Sequence, residues 1–446
     1  MEFPFAARPT TLGGPVPGDY TNRFRVAYNA APPKGSPGGG IMTDTARLAT
    51  APDERIASID VLRGFALLGI LVMNVQAFSM PMAAYANPHA WGDLSGLNYP
   101  VWLGSHLFFD SKFIAIFSML FGAGIAMGAT REAARGKTVY FRRYTVLLVI
   151  GLVHAYFVWY GDVLAYYAIC AFILYYLRER RTITLMAAAI ACYALTAALF
   201  LLLAWTAPYW PAGMLEDVRM EYAPEPHELE REIATMQAGF WGIFIHRLPF
   251  MIRMHFIAFP IFFMPALLGL MLLGMLLYRL GALQAHWPGI RYAALIPLAL
   301  FVGVPIAYAG VRYIDTTEWT VSVKFYGYLY NYWAAPIIAL GWIGFVMLWC
   351  QSGRAPRIQY ALSCVGRMAL TNYLLQSLIG VFVFYGFGLG WFAQVERTGQ
   401  VVFVIAVWAL QLAWSPLWFR HFQYGPMEWL WRSITYRHKQ PMRKAA

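Results

Sequence analysis

Seven polar side chains stand where polar side chains are expensive. His154, Asp162, Asn74, Asp110, Lys112, Asn372 and Gln376 fall inside, or at the ends of, long apolar stretches. A polar or ionisable group within a bilayer marks either function or a paired structural role. His154 is the leading candidate for acid–base work, because an imidazole exchanges a proton near neutral pH; the plainer reading is a histidine bonded to a carbonyl or a neighbouring helix. Asp162 follows Gly161 in a turn, where it can orient a histidine, contact an acceptor sugar or amine, or cap the helix that follows. The Asn74 amide can steady a developing oxyanion or hold a substrate carbonyl, or simply join two helices at about 1 kcal/mol. Asp110 and Lys112 are two residues apart and would not face each other on a helix, so each needs a partner from another segment. Asn372 and Gln376, at i and i+4 beside Thr371, share one face that either lines an acceptor pocket or glues helices.

Four arginines, Arg63, Arg142, Arg143 and Arg367, cluster at the cytoplasmic ends of the apolar stretches. Forked guanidinium groups suit phosphate and pyrophosphate, although the same residues also serve membrane orientation and anionic headgroups. Asp60, three residues before Arg63, can pair with it on one helix face. On the opposite side, His89 and Asp93 in NPHAWGDLSG offer a second candidate base or an ordinary solvated loop.

The elements that position these groups follow from composition. Of 446 residues, 60% are hydrophobic and 13% charged, against roughly 45–50% and 25% in soluble domains. Mean hydropathy is +0.51. The fold class is therefore all-α and polytopic. About 20 apolar residues cross the hydrocarbon core, and ten such segments are predicted, at 62–81, 102–129, 144–160, 162–178, 184–206, 248–278, 292–311, 325–349, 360–385 and 400–419. The sixth is long enough to kink at Pro260 or Pro265. At about 1.5 Å per helical residue, Asn74, His154, Asn372 and Lys112 all come near the midplane.

Loop charge supports this count. Loops at 130–143, 179–183, 279–291 and 350–359 and the C-terminal tail 433–446 are basic, whereas 82–101 has no Lys or Arg and 207–246 has seven acids against two arginines. That alternation puts both termini in the cytoplasm. The second half of 207–246, from Pro226, reads as a short amphipathic helix, solvated or acting as a lid. Residues 1–54, with eight Pro and seven Gly, read as a disordered tail, and Met42 looks like a natural start after a leader. The net charge of +12 reflects membrane orientation and not nucleic-acid binding. Four scattered cysteines show no metal or disulfide pattern. The FGAG run (121–124), Gly64 and Gly69 suit close helix contact.

Five stretches, RIASIDVLRGFALLGILVMNV (55–75), FFDSKFIAIFSMLFGAGIAM (108–127), RRYTVLLVIGLVHAYFVWYGDVLAYY (142–167), GRMALTNYLLQS (366–377) and YGPMEWLWR (424–432), together resemble the YeiB family of bacterial membrane proteins. That family is similar to the transmembrane acyltransferases, including type 3 acyltransferases and the heparan-glucosaminide acetyltransferase. The resemblance implies a bacterial inner-membrane protein that moves an acyl group from cytoplasmic acyl-CoA to an acceptor on the other side. In type 3 acyltransferases an arginine is followed, after ten residues, by a catalytic histidine; Arg63 matches the arginine, and Asn74 occupies the histidine's place. The heparan-glucosaminide branch resembles this arginine–asparagine arrangement, with its catalytic histidine in the following loop, where this chain has His89. On this reading Arg63, Arg142, Arg143 and Arg367 hold acyl-CoA, His154 or His89 is the base, and Asn74 supports the oxyanion. Asp110, Lys112, Asp162, Asn372 and Gln376 meet the acceptor. No covalently bound cofactor or metal is expected, the partners are the lipid bilayer, the acyl donor and a small-molecule, glycan or lipid acceptor, and a homo-oligomer stays open. The alternative is a transporter or flippase, which would show paired Gly/Pro-interrupted segments in two related halves; a non-catalytic scaffold is the third reading.

Overall fold

Helices form at all ten expected positions, but their ends and lengths differ in ways that matter. The computed structural model describes residues 56–444, and for 129–135 the course of the backbone alone. The expected N-terminal tail and leader lie outside the described residues.

The chain runs through α1 (Ala57–Ser79), α2 (Asn98–Phe108), α3 (Lys112–Arg135), α4 (Lys137–Phe157), α5 (Leu164–Leu177) and α6 (Thr182–Thr206). Two helices, α7 (Ala212–Tyr222) and α8 (Pro226–Met236), make up the acidic segment, of which only the second was legible in advance. Then follow α9 (Phe240–Arg253), a π-helical stretch (Met254–Phe263), α10 (Met264–Arg279), α11 (Gly289–Leu298), a second π-helical stretch (Ala299–Gly303) and α12 (Val304–Thr316). The chain ends with α13 (Val321–Ser352), α14 (Pro356–Arg367), α15 (Ala369–Phe384), α16 (Arg397–His421) and α17 (Pro426–Tyr436). Among the described residues there is no strand, only an isolated bridge between Phe422 and Arg443.

Among the described residues, seven helical runs are long and apolar enough to cross a membrane, and α14 with α15, bent by 83°, makes an eighth if taken as one. The expected kink at Pro260 is instead a π-helical widening within one helix of 40 residues, Phe240–Arg279. Proline supplies no N–H and crowds the carbonyl four residues back, and a π register relieves both problems. At the ninth position the uninterrupted span 360–385 is corrected to two helices, because α14 ends at Arg367 and the chain turns sharply at Met368.

The α4–α5 hairpin departs furthest from expectation. α4 starts at Lys137, not 144, so Arg142 and Arg143 ride on helix and not on a loop. α5 has 14 residues, about 21 Å at 1.5 Å per residue and less than the hydrocarbon thickness. The tip joining them, 158–163, is packed over by other elements: Trp159 is buried among Phe78, Met236, Ile243, Tyr385 and Phe392. Irregular backbone at membrane depth is tolerated only where protein covers it or it lines a cavity.

Close backbone approach builds the core around α1, α3 and α10. A methyl group added at Gly64 would strike the Leu362 carbonyl of α14, and one at Gly366 the Asp60 carbonyl of α1. Gly122 and Gly274 play the same reciprocal part between α3 and α10. Small residues at these crossings let helices approach where lipid offers no hydrophobic drive. Glycines 64, 69 and 122 thus act as expected, while Gly124 faces open space.

Candidate functional site

The tip of the α4–α5 hairpin carries the principal constellation. α4 ends in its last turn at His154, whose carbonyl accepts from the Val158 and Trp159 amides at 2.9 and 2.8 Å. The chain turns through Gly161, and Asp162 starts α5 by accepting the Ala165 N–H on Oδ2 at 2.8 Å, the helix-capping role expected of it. Its other oxygen, Oδ1, lies 2.8 Å from His154 Nδ1. Both side chains are buried, at 2% and 0% exposure. A carboxylate only accepts, so the proton of a neutral imidazole resides on Nδ1 and the Nε2 lone pair is left over. That Nε2 is buried with no hydrogen-bond partner among the described residues. The Tyr373 ring of α15 sits 5.3 Å from the imidazole, and its hydroxyl donates to the Gly161 carbonyl at 3.3 Å. This is the arrangement of a general base with its orienting acid.

Asn74 is half-buried on α1 and makes no hydrogen bond with the described residues. It lies between two contacts that α1 makes with neighbouring elements. Leu67 accepts from Gln376 at 3.4 Å, and the Phe78 ring packs 4.3 Å from Trp159. Asn74 and His154 are not bonded to each other. Each, however, stands eleven residues after an arginine, Arg63 on α1 and Arg143 on α4. Eleven residues are three helical turns, returning to the same face about 17 Å further along.

The four arginines gather on one end of the bundle. Arg63 pairs with Asp60 at 2.8 Å, on the part of α1 that meets α14. The Arg142 Nε donates to the Thr435 carbonyl of α17. Arg143 stacks on Trp431 of α17 at 4.8 Å, and Trp431 Nε1 donates to the Arg143 carbonyl at 2.8 Å. Arg367, at the bend between α14 and α15, lies 3.9 Å from the Phe419 ring centre. Glu428 of α17 fixes that bend by accepting the Leu370 and Thr371 amides at 2.7 and 3.1 Å and the Thr371 hydroxyl at 2.5 Å. It satisfies the free N–H groups at the start of α15. Three stretches far apart in sequence, 142–143, 366–371 and 424–432, thus form one platform at this end of the bundle.

Other candidates go elsewhere. Asp110 and Lys112 do not sit on one continuous helix; Ser111 between them has φ +64°, and they share one partner, Asn331 of α13. Asn331 donates to Asp110 Oδ2 at 2.9 Å and accepts from Lys112 Nζ at 2.5 Å. Lys112 also donates to the His106 carbonyl at 2.6 Å, and His106 Nδ1 lies 3.2 Å from Asp110. This is a closed polar network. Asn372 and Gln376 do not reach the His154 site: the Asn372 amide donates to Ser415 at 3.1 Å and accepts from Trp414 at 3.2 Å, and Gln376 donates to Gln411 at 2.9 Å. They join α15 to α16, with Tyr373 between them turned to the histidine. The α14–α15 bend makes Asn372 the fourth residue of a helix and not the midpoint of a continuous span. His89 is exposed, its amide bonded only to Asn87 Oδ1 at 3.1 Å.

Fold and site together define an all-helical membrane protein with a buried His–Asp pair and an arginine platform. The chain belongs to the YeiB family. It is 31% identical over 397 residues to uncharacterized protein YeiB of Escherichia coli (strain K12), covering 87% of this chain and 98% of that one. It is 29% identical over 419 residues to uncharacterized protein YxaH of Bacillus subtilis (strain 168), covering 89% and 98%. Residues 277–438 match a family model described as a protein of unknown function (DUF418).

Proposed function

We propose that this protein is an acyltransferase of the bacterial cytoplasmic membrane, with ten membrane segments and both termini in the cytoplasm, counting the short hairpin as two. It takes an acyl group from cytoplasmic acyl-CoA and gives it to a hydroxyl or amine presented from the other side. The observation that carries the reading is the buried His154–Asp162 pair with its unpartnered Nε2, three helical turns beyond Arg143.

Arg63, Arg142, Arg143 and Arg367 bind the pyrophosphate and phosphate of CoA, and the pantetheine arm spans the distance to His154. The His154 Nε2 removes the proton from the acceptor oxygen or nitrogen, which attacks the thioester carbonyl carbon. Asp162 keeps the ring oriented and balances the imidazolium charge. The Asn74 amide donates to the carbonyl oxygen as it becomes an oxyanion. Collapse breaks the carbon–sulfur bond, and the imidazolium returns its proton to the CoA thiolate. His89, exposed in its loop, has no part. The transporter reading gains no support from the two π-helical stretches, Met254–Phe263 and Ala299–Gly303, because each sits within one helical run and the two runs are consecutive.

The test uses full-length protein in proteoliposomes with radiolabelled acetyl-CoA. Wild type is expected to release CoA and pass label to an acceptor or to water. His154→Ala should abolish both while still folding, with a lower but cooperative melt because Asp162 loses its partner, and full turnover by that variant removes His154 from the mechanism.

A further inference from the structure

Arg247 is the other charged group at the hairpin tip, and it lacks a counter-charge. Two turns into α9, it is 3% exposed. Its Nε donates to the Ile243 carbonyl at 3.4 Å and its Nη1 to the Tyr385 hydroxyl at 3.5 Å, both long. The rings of Tyr385 and Tyr160 stand 5.2 and 5.9 Å from the guanidinium carbon. Neighbouring arginines are compensated: Arg219 pairs with Glu216 and Glu225 at 2.7 and 3.0 Å, and Arg253 with Glu221 at 2.7 Å. Arg247 forms no ion pair among the described residues. Glu232, the nearby acid, is occupied by the Met82 amide at 3.0 Å, and burial pushes its carboxyl up, toward the neutral form.

A guanidinium has five donors in a rigid fork, and a buried one without a partner is strongly unfavourable unless something supplies the charge. Two long hydrogen bonds and two ring faces leave much of that fork unused. Its position gives the unused part a direction. α9 descends from the acidic, extracytoplasmic segment, so Arg247 lies about 10 Å below the start at Phe240. There it meets Tyr160, two residues from Asp162 in the same turn. Through Tyr160, Arg247 thus stands beside the turn that carries Asp162, at the end of α4 opposite the arginine platform.

We infer that Arg247 binds an oxyanion, a phosphate or carboxylate, and that this anion is part of the acyl acceptor, held so that its hydroxyl or amine reaches His154. The acceptor's role rests on the acyltransferase reading; the anion site does not. Bidentate recognition of such groups is what the arginine fork does best, and Tyr160 and Tyr385 hold that fork in place.

The test measures thermal stabilisation of full-length protein in phosphatidylcholine nanodiscs by inorganic phosphate and by succinate, with glycerol as the uncharged control. Phosphatidylglycerol nanodiscs form a parallel arm. A ligand that binds only the folded state raises its stability saturably. Phosphate and succinate should stabilise wild type and glycerol should not. Arg247→Gln should weaken the apparent affinity by about tenfold or more, and Arg247→Lys by less. Should Arg247→Gln fail to fold, Arg247→Lys and Tyr385→Phe, which removes the bond orienting Nη1, carry the comparison. Stabilisation seen only with phosphatidylglycerol, and lost in Arg247→Gln, assigns the oxyanion to a lipid-borne acceptor. His154→Ala should lose transfer yet keep wild-type phosphate affinity. Arg247-dependent binding without transfer in any variant would overturn the acyltransferase reading alone. No anion-specific stabilisation in either lipid, or equal stabilisation of Arg247→Gln, overturns the Arg247 site.

Discussion

Replacing Asp162 with asparagine separates charge from shape at the hairpin tip. The carboxylate serves two donors at once, His154 Nδ1 on Oδ1 and the Ala165 amide on Oδ2, each at 2.8 Å. Asparagine has one acceptor oxygen and cannot serve both. If that oxygen stays on Ala165, the new NH2 group faces Nδ1, which must then accept, and the proton moves to Nε2. The base is lost through the wrong tautomer, a change worth about 10⁴-fold in a Ser-His-Asp triad. If the oxygen stays on the histidine, a buried N–H faces an NH2 group, at about 1–3 kcal/mol. Asp162→Asn should therefore lower single-turnover acyl transfer by about 10³- to 10⁴-fold while reducing stability by about 1–3 kcal/mol. The assay is label release from acetyl-CoA in proteoliposomes, with thermal melts run alongside. Transfer within a few-fold of wild type would show that Asp162 does not set the state of His154, and the proton-transfer account would fall.

Three further outcomes are expected. Asn331→Leu strips Asp110 and Lys112 of their shared partner and should destabilise the protein by about 1–3 kcal/mol in denaturation, with part of the loss recovered by adding Lys112→Met. Glu428→Ala removes the acceptor for the first amides of α15 and should cost about 1–2 kcal/mol, read as faster amide exchange confined to residues 369–372. In the acidic segment, the raised carboxyl of Glu232 means that the folded state holds its proton more tightly than the unfolded chain. Its contribution is full below the ordinary glutamate value of 4.5 and is lost as pH rises through the folded value. Melting temperature measured against pH should fall over that range in wild type, and Glu232→Gln should flatten the slope.

Much of this protein is legible in its sequence because lipid imposes one simple rule, that the chain stay apolar for some 30 Å. The boundaries are less legible. Lys137, Arg142 and Arg143 look like loop, yet they line a helix that begins before the apolar run, and that helix stops at Phe157, three residues short of the expected end, which puts His154 in its last turn. Nor does composition reveal that α5 stops short, because its aromatic residues are apolar whether they face lipid or the inside of the bundle. The His154–Asp162 pair was recognisable in kind, being two ionisable groups flanking one turn. Asn331 was missed because an uncharged amide in an aromatic run gives no signal until its partners are in place. Arg247 was hidden by its position one residue before the expected start of a span, where an arginine looks like part of the loop. The bend at Met368 has no proline to announce it; Glu428, sixty residues on, holds it.

The central claim is that a thioester donor reaches from the arginine platform to His154. A cryo-EM reconstruction of the full-length protein with a non-hydrolysable acetyl-CoA analogue tests it directly. The expected map has the pyrophosphate against Arg142, Arg143 and Arg367 and the acyl carbonyl carbon near His154 Nε2, about 3–3.5 Å from where an acceptor atom would attack. Density for the analogue elsewhere on the protein, with the hairpin tip sealed by its own side chains, would contradict it.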